Sequence, residues 1–342
     1  MAAAKAIISP ELGELLAARA ELVLDPNGPA DLSRADAFLA SSHRSLSAAD
    51  LECATRLAVV TQVGTAVHVN VAAATRLGIP VLHNRGQNAD SVAEHTIALL
   101  LAVVKNVVRS DAEVRRRAHW DVAAPHLVTH ELRGKTLGIV GFGAVGARVA
   151  AIASLGLGML VVGCDTVPGI VAARGYEELA LDDLLPRVDV LSLHLAATPR
   201  TQGLISRDRL LRLPRHAWLI NTARADVLDY DALAEVLCAG HLAGAGIDTW
   251  PGHRADPHSP LIDLPNVVFT QHNAGFTREA ISRMAHAAAG GIWETLAGMP
   301  PASSTLLNPE VWARRRQPGE DLDLTTMSVP AARSTNYPEV AP

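Results

Sequence analysis

Apolar residues along the first hundred positions fall in short β-branched runs at 6–8, 21–24, 37–39, 57–60 and 81–82, separated by stretches with helical spacing. Strands alternating with helices predict a parallel sheet. The opening MAAAKAIIS lacks a long apolar stretch and a cleavage pattern, so it reads as a first strand and not a signal peptide. From 91 to about 119 the apolar positions keep a helical period, which predicts one long helix carrying the chain into a second domain. The alternation restarts between 135 and 269 with six clearer strands, TLGIVG, LVVGCD, VLSLHL, WLINTA, AGAGID and NVVFT, divided by helical stretches such as 231–239. Six strands fit a doubly wound sheet. A helical pattern over 278–296 leads the chain back, making the first domain discontinuous, and periodicity is lost past 309.

The pattern thus predicts an α/β chain in three parts. A Rossmann-type doubly wound parallel sheet domain occupies 107–283, and a discontinuous flavodoxin-like α/β substrate domain takes 1–106 and 284–317. Residues 318–342 read as a mobile tail. The length of 342 residues exceeds what one core normally supports, in keeping with two domains.

Composition narrows the picture. With 49% hydrophobic and 19% charged residues the chain is globular, and a net charge of −5 with scattered basic residues gives no nucleic-acid footprint. The longest apolar stretch, 97–104, falls far short of the roughly 20 residues a membrane span needs. No membrane or nucleic-acid partner is therefore expected. Cys53, Cys164 and Cys238 show no C-x-x-C spacing, which points to reduced thiols in a cytoplasmic setting and to no metal site.

In TLGIVGFGAVGARVA an apolar strand runs into Gly141-Phe142-Gly143-Ala144-Val145-Gly146 and directly on into a helix. The first glycine permits a tight turn, the second a close approach of the backbone to a pyrophosphate, and the third close helix–strand packing. Free N–H groups at the helix start favour phosphate. Asp165 ends the next strand, nineteen residues after Gly146. A carboxylate there accepts from both ribose hydroxyls and repels a 2′-phosphate, so the expected cofactor is NAD and not NADP.

These segments, with RGQNADSVAEHT (85–96), DVLSLHLAATPRTQGLI (189–205), LINTARADVLD (219–229), GAGIDTW (244–250) and QHNAG (271–275), make the chain resemble the D-isomer-specific 2-hydroxyacid dehydrogenases, the family that includes D-3-phosphoglycerate dehydrogenase. The resemblance covers roughly 55–300. It implies that Arg224 of N-T-A-R holds the substrate carboxylate, a task suited to a planar, permanently charged fork. It implies that His272 is the acid/base, since oxidising an alcohol by hydride transfer requires removal of the hydroxyl proton. Asp248, Leu195, Ala196, Thr222, Ala223 and Gly275 match the lining around the nicotinamide and ribose.

The sequence departs from the family where a glutamate usually pairs with the catalytic histidine. Here that position is His253, with Asp256 as a more distant substitute. Two imidazoles side by side would titrate as a coupled unit. Related formate dehydrogenases carry a glutamine there. On the substrate side the family's glycine loop reads Gln62-Val63-Gly64-Thr65-Ala66, whose amides would grip a carboxylate, and the usual downstream aspartates are replaced by His68 and Asn70. Arg85 either meets a second anionic group on the substrate or forms an ion pair. The resemblance further implies a small anionic substrate and a homodimer built through the nucleotide-binding domains. Two other readings stay open: an NAD-sensing regulator of the same fold, and hydride transfer from formate or phosphite.

Overall fold

The computed structural model describes residues 2–3, 10–18, 20–21, 23–24, 32–40, 45–62, 67–117, 128–302 and 305–318. These fall into two compact units, Met1–Asn88 with Thr277–Ala341, and Ala89–Phe276. The expected strand at 6–8, the glycine-loop residues Gly64, Thr65 and Ala66, the end of the long helix at 118–119 and the tail beyond 318 lie outside the described residues.

The first unit holds β1 (Ala2–Ala3), β2 (Val23–Leu24), β3 (Ala37–Ala40), β4 (Val59–Gln62) and β5 (Val81–His83), hydrogen-bonded in the order β2-β1-β3-β4-β5 and all parallel. This is the flavodoxin-like order. Thr305–Leu306 adds an antiparallel edge against β5. Between these strands run α1 (Pro10–Ala17), α2 (Ala48–Cys53) and α3 (Val71–Arg76). Asn70 is the N-cap of α3, its side chain accepting the Ala73 amide, so this departure from the family pattern is filled by a structural role. β4 starts and ends two residues later than the apolar run suggests, and it buries Gln62, which accepts the His68 amide.

In the second unit α4 (Ala89–Val104) and α5 (Val107–Arg117) replace the single long helix expected over 91–119. The break comes at Asn106, whose φ of 52° lies in the left-handed region that no continuing helix allows, and the two segments bend by 59°. There follow β6 (Thr136–Val140), α6 (Ala144–Ala151), β7 (Leu160–Cys164), β8 (Glu177–Glu178), α7 (Leu181–Leu184), β9 (Val190–Leu193), α8 (Arg207–Arg212), β10 (Trp218–Asn221), α9 (Tyr230–Cys238), β11 (Gly244–Ile247) and β12 (Val267–Phe269). The strands order as β8-β7-β6-β9-β10-β11-β12, a doubly wound parallel sheet with one strand more than the six read from the sequence. The addition, β8, is two residues long and too short to leave a pattern.

The expected boundary at 106/107 shifts to 88/89 because α4 packs on this second sheet. A Cβ on Gly246 would stand 3.1 Å from Leu99 Cβ, so the small residues of β11 admit the helix at close range. The return boundary falls at 276/277, before α10 (Arg278–Leu296), whose Ala285, Ala288, Ala289, Ile292 and Trp293 share a core with Leu39, Val59 and Leu82 of the first unit.

Strand register positions the chemistry. Cys164 pairs with Val140, Val140 with Leu193, Leu193 with Asn221, Asn221 with Ile247, and Ile247 with Phe269. Five neighbouring strands therefore end in step with β6. The residues that follow them, Asp165, Gly141, His194, Thr222, Asp248 and Thr270, form a row along the carboxyl edge. Strand order reverses between β6 and β9, where open α/β sheets bind ligands.

The glycines of the β6–α6 turn do different jobs. Gly141 has φ 94°, and a Cβ there would lie 2.6 Å from the His194 carbonyl oxygen. A Cβ on Gly146 would overlap the Gly141 carbonyl oxygen, whereas one on Gly143 would meet nothing within 4 Å. Gly146→Ala is therefore expected to destabilise the fold by about 1–3 kcal/mol. Gly143→Ala should stay within about 1 kcal/mol of the parent yet weaken NADH binding, because its methyl enters the space left for phosphate. Urea unfolding and a fluorescence titration with NADH measure the two effects. Equal stability losses in both variants would contradict this division of labour.

Candidate active site

Gly143 is exposed and is the N-cap of α6, and having no side chain it leaves the first amides of that helix without a side-chain cap. Open space over Gly143 and uncapped N–H groups suit a dinucleotide pyrophosphate. Phe142 belongs to the expected cofactor set, but its side chain is fully buried, with its ring 5.6 Å from that of Tyr176. Its ring is therefore a core contact. Ala144 is exposed at the helix start, and Val145 packs partly into the core below. Asp165 is half-buried. Its Oδ2 accepts the Phe142 amide at 2.6 Å and its Oδ1 the Val167 amide at 2.9 Å, which ties the end of β7 to the glycine turn and aims the carboxylate. Each oxygen keeps a lone pair for a ribose hydroxyl.

At the next strand ends, His194 holds its ring nitrogen Nε2 2.8 Å from Ser192 Oγ, and burial pushes this imidazole down to about 3. It is neutral at physiological pH and unsuited to trading protons there. Leu195 is half-buried and Ala196 exposed just beyond it.

The N-T-A-R segment is braced by its own asparagine. Asn221, fully buried at the end of β10, accepts the Ala223 amide and donates to the Arg224 carbonyl, both at 3.0 Å. Thr222 is fixed from the other side by a 2.8 Å hydrogen bond between its hydroxyl and that of Thr96 on α4. Arg224 leaves this support in extended conformation, and one guanidinium nitrogen donates to the Ala223 carbonyl at 2.6 Å. Burial lowers the guanidinium pKa, with the Asp226 carboxylate pulling the other way. A guanidinium remains charged under these conditions, and a partly desolvated cation is a strong anion anchor.

His272 has φ 56°, a left-handed backbone that costs a side-chain-bearing residue about 1–2 kcal/mol. Asp248, only 1% exposed at the end of β11, holds it there. Its carboxylate accepts the Thr270 hydroxyl at 2.5 Å and the amides of Asn273 and Ala274 at 3.1 Å each. Asp248 thus organises the loop that carries His272, in addition to any contact with a cofactor. His95 of α4 completes the cluster, with Nε2 2.9 Å from Thr270 Oγ1 and 3.6 Å from Asp248 Oδ1. Beside it, Tyr230 donates to the Thr249 carbonyl at 2.6 Å, and burial pushes its phenol up to about 12. The ring of Trp250 lies 5.5 Å from Tyr230 and 5.4 Å from Phe269, fixing the chain beyond Asp248.

The second unit therefore gathers Gly141, Gly143, Gly146, Asp165, Thr222, Ala223, Arg224, Asp248, His272 and Gly275 at or just past the ends of neighbouring strands. His253 ends the short turn Pro251–His253, and its side chain lies outside the described part of the structure. Asp256 is exposed and accepts the His258 amide. In the first unit Arg85 is exposed two residues past β5. Asn221, Thr270, His95 and Tyr230 went unread in the sequence. A strand-end Asn three residues before Arg224 was the one available signal among them.

A family model described as D-isomer specific 2-hydroxyacid dehydrogenase, NAD binding domain, matches residues 97–274. Glyoxylate reductase of Thermofilum pendens is 38% identical over 251 residues, 71% of this chain and 72% of that protein. D-3-phosphoglycerate dehydrogenase of Mycobacterium leprae is 36% identical over 272 residues, 79% of this chain, and the chain spans about half, 51%, of that relative. Among solved structures, D-lactate dehydrogenase from Aquifex aeolicus complexed with NAD and lactic acid superposes with a TM-score of 0.75 at 25% identity, covering 90% of this chain and 99% of that one. With its glycine turn, the aspartate that closes β7 and these relatives, the chain belongs to the D-isomer specific 2-hydroxyacid dehydrogenases, NAD-dependent oxidoreductases.

Proposed function

We propose that the protein interconverts a small 2-oxo acid and the corresponding 2-hydroxy acid, with Arg224 holding the carboxylate and His272 carrying the proton. The observation that supports this most is that one sheet edge, in one row of strand ends, presents the glycine turn, a braced and partly desolvated guanidinium, and an imidazole held in a strained backbone. Bound at the turn, NAD supplies the hydride acceptor or donor. The chain's own residues do the rest. Arg224 pairs with the carboxylate and polarises the adjacent carbonyl, which lowers the cost of negative charge growing on the oxygen. His272 gives that oxygen a proton in reduction and removes it in oxidation. Burial keeps His194 neutral and out of this exchange.

The substrate class is tested by following nicotinamide absorbance over glyoxylate, pyruvate and longer 2-oxo acids, with formate and phosphite included. Turnover on a 2-oxo acid is expected. None on any compound would instead favour a cofactor-sensing role, and turnover on formate or phosphite alone would favour a donor without a carbinol proton. Arg224→Ala should lower kcat/KM by about a hundredfold or more while NADH still binds. Comparable turnover in that variant would remove Arg224 from the site.

We also propose that His253 takes the role the family gives to glutamate. A carboxylate favours the imidazolium, so it raises the histidine pKa. Oxidation requires the neutral base, and its rate falls as pH drops through that pKa. His253→Glu is therefore expected to move the acidic limb of kcat/KM for oxidation upward by about one pH unit. Identical profiles in both proteins would show that residue 253 does not sense the proton carrier.

A homodimer is the assembly we infer, with α5 at the contact, since this helix leaves Val107, Val108 and Val114 exposed at 53%, 52% and 40%. Sedimentation equilibrium should give twice the chain mass, and Val107→Asp with Val108→Asp should give a monomer. A monomeric parent protein would overturn this.

A further inference from the structure

The protein carries a side chain on α4 that reaches the proton-carrying loop without belonging to it. His95 Nε2 lies 2.9 Å from Thr270 Oγ1, and Thr270 Oγ1 lies 2.5 Å from Asp248 Oδ1. The direction of this chain follows from valence. An ionised carboxylate only accepts, so the single hydroxyl proton of Thr270 goes to Asp248. The Thr270 oxygen is then left to accept, and the hydrogen on that contact comes from His95 Nε2. On its other side Asp248 accepts the amides of Asn273 and Ala274, the two residues directly after His272. One continuous series of donors and acceptors thus joins α4 to the peptide units that set the left-handed φ of His272.

The neighbouring residue on the same helix makes a parallel contact. Thr96 Oγ1 bonds Thr222 Oγ1 at 2.8 Å, two residues before Arg224. Adjacent positions of α4 therefore touch both the segment bearing the anion anchor and the segment bearing the proton carrier. α4 is itself held rigidly, with Leu99 and Val103 in the core and Asp90 paired to Arg148 of α6 at 2.6 Å.

We propose that His95 is a positioning residue for the reaction. By donating to Thr270 it keeps the Thr270 proton on Asp248, and so fixes where the His272 imidazole stands relative to Arg224. The proposal rests on the reading of His272 as acid/base, and it assigns His95 no contact with substrate.

The test compares His95→Leu and Thr270→Val, which remove the hydrogen bonds at similar volume, with His95→Gln and Thr270→Ser, which keep a donor or hydroxyl. Two readouts are taken: kcat and KM with glyoxylate and NADH, and the imidazole ¹H–¹⁵N resonances of His272 in the cofactor-free protein, assigned by their loss in His272→Gln. His95→Leu and Thr270→Val are expected to lower kcat about tenfold, with KM for NADH within about twofold, and to displace the His272 resonances. Thr270→Ser should restore both, His95→Gln should restore them in part, and the double variant His95→Leu with Thr270→Val should be no slower than Thr270→Val alone. Unchanged His272 resonances in His95→Leu, or losses that multiply in the double variant, would overturn the proposal. If His95→Leu does not fold, Thr270→Val and His95→Gln decide on the same criteria. Full turnover in His272→Gln would sink the acid/base reading alone, since the resonances still report whether His95 sets the surroundings of His272.

Discussion

A carboxylate withdrawn from water at the end of a sheet strand must find donors or lose its charge, and Asp248 finds them in the loop that carries His272. Hydrogen bonds to a charged group contribute about 1.5–3 kcal/mol each. Three of them outweigh the cost of about 1–2 kcal/mol for holding His272 in the left-handed region. The sign of that balance is what lets a histidine occupy a backbone conformation normally left to glycine. It also means that the loop's shape depends on Thr270 and two amides facing the Asp248 carboxylate.

The sheet turns this local arrangement into a site. Because β6, β7, β9, β10, β11 and β12 end in register, residues distant in sequence stand one step beyond the same edge: Gly141, Asp165, His194, Thr222, Asp248 and Thr270. The glycine turn, the segment bearing Arg224 and the loop bearing His272 are then spaced by strand separation, about 4.8 Å per strand. Close packing keeps the spacing. Gly146 sits against the Gly141 carbonyl, Gly246 admits α4, and hydrogen bonds from Thr96 to the Thr222 hydroxyl and from His95 to the Thr270 hydroxyl tie that helix to two strand ends.

What was legible in the sequence was local. A strand running through three spaced glycines into a helix and an aspartate at the next strand end each carry their meaning within a few residues, and these elements stand where the sequence puts them. The left-handed backbone of His272 was not legible, because it is imposed by Asp248 from another strand. The break after α4 was hidden for a related reason. Apolar periodicity continues across Asn106, and only its backbone shows that the helix stops. The domain boundary moved by one helix because composition says nothing about which sheet a helix covers. That the Phe142 ring packs in the core and that Asn70 caps a helix are likewise set by neighbours the local sequence does not name.

If Arg224 and His272 meet opposite ends of one small anionic substrate at the glycine-turn edge, a crystal structure of the ternary complex with NADH and oxamate, an unreactive mimic of a 2-oxo acid, will show it. The oxamate carboxylate is expected on the Arg224 guanidinium and the His272 imidazole within about 3 Å of the oxo oxygen. Oxamate held by other groups, with His272 turned away from it, would show that the two residues do not share a substrate.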